Sequence, residues 1–237
     1  GRSEATGHGA FYALSAMAKE LNLDDTDKRI ALQGFGVGGQ YFAELAAQQG
    51  WRIVAIADSQ ATIQDDDGLD IPALIELKNT KGSLSEADDK HGTKADAEAV
   101  LTQACEVLVP AALGGQITPD NVGDLNCRVI LEIANGPVIP EADQDLRDRD
   151  IQIIPDILAN AGGVFVSWLE WQQNLSGMPI DQETISERLK NRMEKTAEDV
   201  INLAADKKLD WRIAAYGCAA KRLNQALCDM GERAYEQ

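Results

Sequence analysis

The stretch Gly34-Phe35-Gly36-Val37-Gly38-Gly39 decides the fold of this chain. It follows an apolar run at 29–33 and precedes a helical pattern at 40–49. A second apolar run, at 51–57, ends in Asp58, which lies about twenty residues beyond the glycines. Glycines in this spacing between a strand and a helix, with an acid at that separation, are typical of a turn that binds a dinucleotide. The sequence therefore predicts that the chain binds a nicotinamide dinucleotide.

Each glycine of this turn has a physical role. Gly34 tolerates the positive φ that a tight turn out of a strand requires, because it has no Cβ. Gly36 lets the backbone approach a diphosphate, and Gly39 lets the helix pack closely on the sheet. The first amides of the helix then face the phosphates with a partial positive charge. The alternative is a glycine-rich turn in an ordinary α/β protein, and the acid at 58 argues against it. We assign the whole loop to the cofactor: Gly34, Phe35, Gly36, Val37, Gly38 and Gly39.

Asp58 and Ser59 are assigned to the same cofactor. A carboxylate accepts hydrogen bonds from both ribose hydroxyls of the adenosine, whereas a 2′-phosphate would be repelled by an energy on the order of a few kcal/mol. Residues 59–62 offer no Arg or Lys to neutralise such a phosphate. We predict NAD as the preferred cofactor, with NADP possible because a basic residue can arrive from elsewhere in the fold.

Composition excludes several classes of function. The 237 residues carry 22 Lys and Arg against 39 Asp and Glu, a net charge of −17, with acidic clusters at 24–27, 65–67 and 86–89. Nucleic-acid binding requires a positive stripe, and none is visible, so no nucleic-acid partner is expected. No apolar run approaches the length that crosses a bilayer, so no membrane partner is expected either.

The cysteines and histidines do not form a metal-binding pattern. The four cysteines have no C-x-x-C spacing and the chain has only two histidines, so no metal site is predicted. Reduced thiols favour a cytoplasmic location. The chain begins without an initiator methionine, and we expect it to be part of a longer protein.

Apolar runs alternate with helical patterns along the chain. Strands are predicted at 29–33, 51–57, 106–109, 127–133 and 151–154, and helices at 10–21, 40–49, 71–79 and 95–103. The polar stretch 59–70 is predicted as a loop or hairpin, and 80–94 as an exposed excursion. From about 181 the pattern is helical throughout. This alternation predicts an α/β fold, a Rossmann-type doubly wound parallel sheet with flanking helices and a helical C-terminal extension. We place the dinucleotide-binding domain at 1–212 and the C-terminal helix at 213–237.

The loops that follow the predicted strands meet at one edge of such a sheet, where ligands bind. The small residues Ala111 and Ala112 leave room for a ring or a ribose. Asn135 and Asn160 each offer a donor and an acceptor, which suits a ribose hydroxyl or a carboxamide. Helix capping is the alternative role for each asparagine.

Several motifs together resemble the cofactor domain of glutamate dehydrogenase and of the wider family that includes the leucine, phenylalanine and valine dehydrogenases. They are Arg2 to Gly9, Gly34 to Gly39, Val109 to Leu113, Ala134 to Pro137 and Pro155 to Trp171. The resemblance covers essentially the whole chain. It implies reversible oxidative deamination of an amino acid, L-glutamate above all, to a 2-oxo acid and ammonia, with a hydride passing to the nicotinamide.

The resemblance also implies what this chain lacks. In the family, the catalytic lysine and aspartate lie in a separate N-terminal domain, and no counterpart is found here. We therefore assign no catalytic residue to this chain and expect it to bind cofactor without turning over alone. The segment 213–237 is expected to pack on the absent catalytic domain, and the full-length protein is expected to be a homo-hexamer.

Five residues take their roles from the resemblance. Thr6 matches the threonine that faces the nicotinamide, and Asn135 and Asn160 match asparagines near the nicotinamide ribose and carboxamide. Val164 and Ser167 match the pair that meets the substrate side chain, where a serine hydroxyl bonds the γ-carboxylate of glutamate. The alternative for Ser167 is a bond to its own helix backbone. The chain departs from many relatives at 37–38, where Val-Gly replaces Asn-Val and an asparagine contact is lost.

Two rival interpretations remain open at this point. A leucine- or phenylalanine-type dehydrogenase domain would share the chemistry but not the substrate. A dinucleotide-sensing module would bind the cofactor without catalysis.

Overall fold

One sheet of seven strands organises the residues that the structure, a computed structural model, describes: 2–24 and 26–230. Asp25, from the acidic cluster at 24–27, and residues 231–237 lie outside the described residues. The strand order is β4-β3-β2-β1-β5-β6-β7. The strands are β1 (Arg29–Gln33), β2 (Arg52–Ala57), β3 (Thr62–Gln64), β4 (Thr93–Ala95), β5 (Val107–Pro110), β6 (Val129–Leu131) and β7 (Gln152–Ile154).

Helices cover the sheet. They are α1 (Arg2–Met17), α2 (Val37–Gln48), α3 (Ile71–Lys81), α4 (Asp143–Asp148), α5 (Asp156–Ala159), α6 (Ala161–Ser176), α7 (Gln182–Lys207) and α8 (Trp211–Asp229). Aspartates begin three of them: the side chains of Asp70, Asp181 and Asp210 each accept a hydrogen bond from an amide in the first turn of α3, α7 and α8. None of the described helices is both long and apolar enough to cross a membrane.

The sheet buries both faces, as the doubly wound fold requires. In β1, Ile30 and Leu32 join a core with α1, α2, α6 and α7, whereas Ala31 joins a second core on the opposite face. Strands β1, β2, β5, β6 and β7 pair in parallel. The predicted Rossmann-type sheet is confirmed. Its edge differs from the prediction, because β3 and β4 add antiparallel pairs beside β2.

Helix α1 lies between the N-terminal ends of α2 and α6. A Cβ at Gly7 would overlap the Gly38 carbonyl oxygen, and one at Gly9 would lie 3.0 Å from Cα of Gly162. Backbones therefore approach more closely here than side chains would allow. The helix starts at Arg2, well before the predicted start at residue 10, because these contacts outweigh the low helix propensity of its glycines. It also ends at Met17 instead of residue 21.

Three further features differ from the sequence prediction: the start of α2, the type of one helix and the burial of one stretch. Helix α2 begins at Val37 and not at residue 40, so the glycines form its first turn. The helix predicted at 95–103 is a 3₁₀ helix, Ala97–Thr102. The stretch 80–94, predicted to be exposed, is anchored by the fully buried side chain of Leu84. A single apolar residue in a polar stretch gives no periodicity, so pattern analysis does not detect such an anchor.

The C-terminal helix starts before the predicted boundary at 213. Asp210 caps α8, and Ala214 and Ala215 are buried among the core residues, so the first turns of α8 belong to this fold. Further along, Tyr216 and Leu223 are more than half exposed. Packing of this helix on another domain stays a prediction.

Candidate cofactor site

A cleft opens at the carboxyl edge of the sheet between β1 and β5. Strand order reverses between these two strands, and ligands of such sheets bind at this point. The loops after them are joined by a hydrogen bond of 2.7 Å from the Ala111 amide to the Gln33 carbonyl. The cleft has a volume of about 630 Å³ and is lined by Arg2, Ser3, Thr6, Val37, Gly38, Ala111, Ala112, Ile133, Ala134 and Asn135. Six predicted cofactor residues therefore line this cleft: Thr6, Val37, Gly38, Ala111, Ala112 and Asn135.

The glycine turn adopts the conformation that its sequence predicts. Gly34 has φ of +107°, and a Cβ there would lie 2.8 Å from the Ala111 carbonyl carbon. A Cβ on Gly39 would overlap the Gly34 carbonyl oxygen. Gly36 is extended, and a Cβ there would meet nothing within 4 Å. The fold itself therefore requires glycine at 34 and 39. Gly36 instead borders open space that a ligand can use.

Helix α2 presents an uncapped N-terminus to this cleft. Gly36 is its N-cap residue and provides no side-chain hydrogen bond, so the first amides of the helix have no side-chain partner there. Such an end attracts anions because of these amides and the helix dipole. The ring of Phe35 is 1% exposed and belongs to the core, so only its backbone is open to a ligand, and its contact with a cofactor stays a prediction.

Thr6 lies where two helix N-termini converge. Its methyl group would be 3.8 Å from a Cβ on Gly38 of α2, and its hydroxyl would be 2.6 Å from a Cβ on Gly163 of α6. Any side chain at Gly163 would therefore displace Thr6. The half-buried threonine is therefore held between the first turn of α2 and the first turn of α6.

Asn135 and Asn160 contact each other directly. Asn160 Nδ2 donates to Oδ1 of Asn135 at 2.7 Å and to the Ile133 carbonyl at 3.1 Å. Among the described residues, the Asn135 amide NH₂ and the Asn160 side-chain oxygen make no hydrogen bond. One donor and one acceptor thus remain, a pair that complements a carboxamide. The capping alternative fails for Asn160, because no side-chain bond caps α6.

The Asp58 carboxylate accepts hydrogen bonds from residues that surround it in the fold. Its Oδ2 accepts from Lys78 Nζ at 2.6 Å and from the Leu84 amide at 2.8 Å, and its Oδ1 accepts from the amides of Gln60 and Ala61. Burial acts to raise the pKa of Asp58, but these bonds outweigh it and hold the pKa below its ordinary value. Lys78 of α3 supplies the positive charge that residues 59–62 lack. A ribose contact of Asp58 stays a prediction, as does one of the exposed Ser59.

Val164 and Ser167 both lie on α6, and only Val164 lines a cavity with the asparagine pair. Val164 is 75% exposed and lines a second cavity of about 1130 Å³, together with Asn135, Asn160, Phe165, Trp168, Arg192 and other residues of α7 and α8. The Ser167 hydroxyl donates to the Gly163 carbonyl at 3.0 Å. This is the backbone bond weighed above as the alternative. Its contact with a substrate carboxylate stays a prediction.

A reversed strand order, a glycine turn and an uncapped helix at one edge of a parallel sheet define a Rossmann-type α/β protein. A family model described as Glutamate/Leucine/Phenylalanine/Valine dehydrogenase matches residues 1–231. The chain belongs to this family.

Relatives and solved structures agree with that assignment. The chain is 39% identical to the NADP-specific glutamate dehydrogenase of Synechocystis over all of its own length and 57% of that relative. It is 35% identical to the NAD-specific glutamate dehydrogenase of Staphylococcus aureus over 95% of its length and 54% of that relative. The hetero-hexameric glutamate dehydrogenase of Thermus thermophilus superposes with a TM-score of 0.88 at 32% identity, over 100% of this chain and 55% of that one. The chain thus spans just over half the length of the proteins it matches.

Three charged residues near the site were missed by sequence reasoning: Lys78, Glu132 and Arg212. Glu132 is 0% exposed and interrupts the apolar run at 127–133. A charge inside a buried strand signals a partner elsewhere, because an unpaired buried charge is costly. The sequence does not say which residue that partner is.

Proposed function

We propose that this chain is the cofactor-binding domain of an NAD(P)-dependent amino-acid dehydrogenase, of the glutamate dehydrogenase type. The observation that supports the proposal most is the uncapped start of α2 facing a cleft that also contains Thr6 and Asn135. The open space at Gly36 fits a diphosphate, and the asparagine pair fits a carboxamide. A nicotinamide bound there would supply the acceptor for a hydride.

In this proposal, the residues of this chain bind the cofactor and orient its nicotinamide. The amides at the start of α2 hold the diphosphate, and each charge-assisted hydrogen bond is worth about 1.5–3 kcal/mol. Asn135 and Asn160 fix the plane of the carboxamide, and Thr6 borders the face where the substrate approaches. Proton transfer falls to a lysine and an aspartate that family resemblance places in another domain, so no catalytic residue is proposed within this chain.

We propose NAD as the preferred cofactor, with NADP as a weaker ligand. Asp58 carries the negative charge expected to disfavour a 2′-phosphate. Lys78 lies 2.6 Å from that carboxylate and offsets part of its charge. Discrimination is therefore expected to be modest, and the relatives include both an NADP-specific and an NAD-specific enzyme.

The substrate of the whole protein is proposed to be L-glutamate, oxidised to 2-oxoglutarate and ammonia. Ser167 supports this, because a hydroxyl at this place suits a carboxylate, whereas branched or aromatic substrates favour an apolar group. We further propose that the full-length protein is a cytoplasmic homo-hexamer; the Thermus thermophilus relative is described as hetero-hexameric.

The proposal is tested by placing a side chain in the open space at Gly36. Gly36→Val is expected to abolish NADH binding measured by calorimetry, while leaving the melting temperature unchanged, because a Cβ there meets no atom within 4 Å. Gly123→Val is the matched control: Gly123 also borders open space but lies in the 3₁₀ helix Val122–Asp124 and does not line the cleft. If Gly36→Val binds NADH as well as Gly123→Val does, the proposed cofactor site is wrong.

A further inference from the structure

A buried ion pair joins the end of β6 to the start of α8. Glu132 follows β6 and is 0% exposed. Its Oε1 accepts from Arg212 Nη2 and its Oε2 from Arg212 Nη1, both at 2.9 Å. This two-bond geometry is the strong form of an arginine–carboxylate contact. The first turn of α8 is therefore fixed to the carboxyl edge of the sheet by a charge pair whose carboxylate is fully buried and whose guanidinium is partly buried.

The same carboxylate also holds the start of α5. Oε2 of Glu132 accepts from the Asp156 amide at 2.9 Å. The Asp156 side chain in turn accepts from the Gly136 amide at 2.8 Å through Oδ2, and its Oδ1 lies 3.9 Å from Arg212 Nη1. Arg212 thus contacts Glu132 and Asp156, which bind the backbone of two loops at the edge of the sheet, and its Nη2 also lies 4.0 Å from Oδ1 of Asp143.

Those two loops carry the asparagine pair. Ile133, next to Glu132, accepts from Asn160 through its carbonyl, and Asn135 precedes the glycine that Asp156 binds. The loop at 132–136 is therefore held at both ends by acids that contact Arg212. Asn135 lies between these two points of attachment.

Burial and charge affect the pKa values of Glu132 and Arg212 in opposite directions. Burial raises the pKa of Glu132, and the Arg212 guanidinium opposes that shift. For Arg212, burial acts to lower the pKa, but the bonds and charge of Glu132 outweigh it and raise the pKa. Removing the arginine would leave a buried carboxylate without its countercharge, and breaking one side of a buried pair is strongly destabilising.

Resting on the proposed function, we infer that Arg212, through Glu132 and Asp156, is a positioning residue for the carboxamide end of the cofactor. It acts through the loops that hold Asn135 and Asn160 and does not itself touch the cofactor. The diphosphate end of the cleft lies on β1 and α2, which the network does not contact. Loss of Arg212 should therefore affect one end of the ligand only.

Two ligands distinguish effects at the carboxamide end of the proposed site from effects at its diphosphate end. NADH carries the nicotinamide and ADP-ribose lacks it, while both share the diphosphate and adenosine. In Arg212→Met, NADH binding by calorimetry is expected to weaken roughly tenfold, the loss of one or two hydrogen bonds, while ADP-ribose binding changes by less than about twofold. Arg29→Met is the matched control: Arg29 is similarly half-buried and pairs with Asp66 at 2.7 Å, but at the amino end of β1.

A second variant covers the case in which Arg212→Met does not fold. Glu132→Gln combined with Arg212→Met leaves no charged group at the fully buried position 132 and keeps an acceptor for the Asp156 amide, so the fold should persist while the contact with α8 is lost. The same selective loss of NADH binding is expected. Equal weakening of both ligands, or no weakening of NADH, would overturn the inference. If the unaltered chain binds neither ligand, the proposed function itself fails.

Discussion

Asn135, in the loop after β6, and Asn160, between α5 and α6, are joined by a side-chain hydrogen bond of 2.7 Å. This bond uses one polar group from each amide and orients the other two. A donor and an acceptor are thereby presented side by side, without a ligand to arrange them. Such preorganisation lowers the entropy cost of binding.

The first prediction concerns this pair. Asn160→Ala removes the bonds to Asn135 and to the Ile133 carbonyl. NADH binding is expected to weaken about tenfold, because the two amides are no longer held together and one acceptor is lost. Calorimetric titration checks this, with Asn174→Ala, an exposed residue of α6, the helix that follows Asn160, as the control. Unchanged binding in Asn160→Ala would remove the pair from the cofactor site.

The second prediction concerns stability against pH. The pKa of Asp58 is held below its ordinary value of 3.8 by Lys78 and three amides, so the folded state favours its ionised form. This stabilisation is present above about pH 4 and is lost as the pH falls through the lowered pKa. Asp58→Asn should reduce the free energy of unfolding by about 2 kcal/mol at pH 7, and less at acid pH.

Urea unfolding at several pH values measures this difference. Asp120→Asn, in an exposed loop, is the control and should match the unaltered chain throughout. A gap between Asp58→Asn and the unaltered chain that stays constant down to pH 2 would contradict the assigned role of the ionised carboxylate.

The third prediction concerns the choice of cofactor. Lys78 lies 2.6 Å from the Asp58 carboxylate, so Lys78→Met should leave that charge less compensated. NADP binding should then weaken more than NAD binding, and the ratio of their dissociation constants should rise by roughly threefold to tenfold. Parallel titrations with NAD and NADP measure the ratio. A ratio that falls, or NADP preferred by the unaltered chain, would show that Asp58 is not the discriminating residue.

The fourth prediction concerns the substrate and is tested in the full-length gene product. Ser167→Ala should reduce the preference for glutamate over leucine by about 1.5–3 kcal/mol in kcat/KM, the value of a hydrogen bond to a charged group. Ser176→Ala, at the exposed end of the same helix, serves as the control. An unchanged preference would mean that the bond from Ser167 to the Gly163 carbonyl is its whole role.

Much of the fold could be predicted because it depends on local patterns. The strands around Ile30, Val54 and Val107 are apolar runs, and their length and spacing predict a parallel sheet. Strand β3 (62–64) lies in the stretch 59–70, predicted as a loop or hairpin, and it pairs antiparallel with β2. Strand β4 (93–95) lies in the stretch predicted to be an exposed excursion; it has only three residues, and its pairing depends on β3.

In the candidate site, too, local features could be predicted from the sequence and long-range contacts could not. The glycine turn is a local motif, so its conformation follows from its residues. The orientation of Asp58 depends on Lys78 and Leu84, which lie 20 and 26 residues further along the chain. The partner of Glu132 lies 80 residues away. Contacts at such separations leave no periodic signal in the sequence, so only the fold identifies them.

Helix α1 precedes every other element along the chain, yet it packs on α6 and α7 as well as on α2. During translation its apolar residues, among them Phe11 and Leu14, leave the ribosome long before α7 is synthesised. At about 5–20 residues per second the delay is roughly 10 to 40 seconds. The side of α1 that packs on α6 and α7 therefore stays uncovered until those helices have been synthesised.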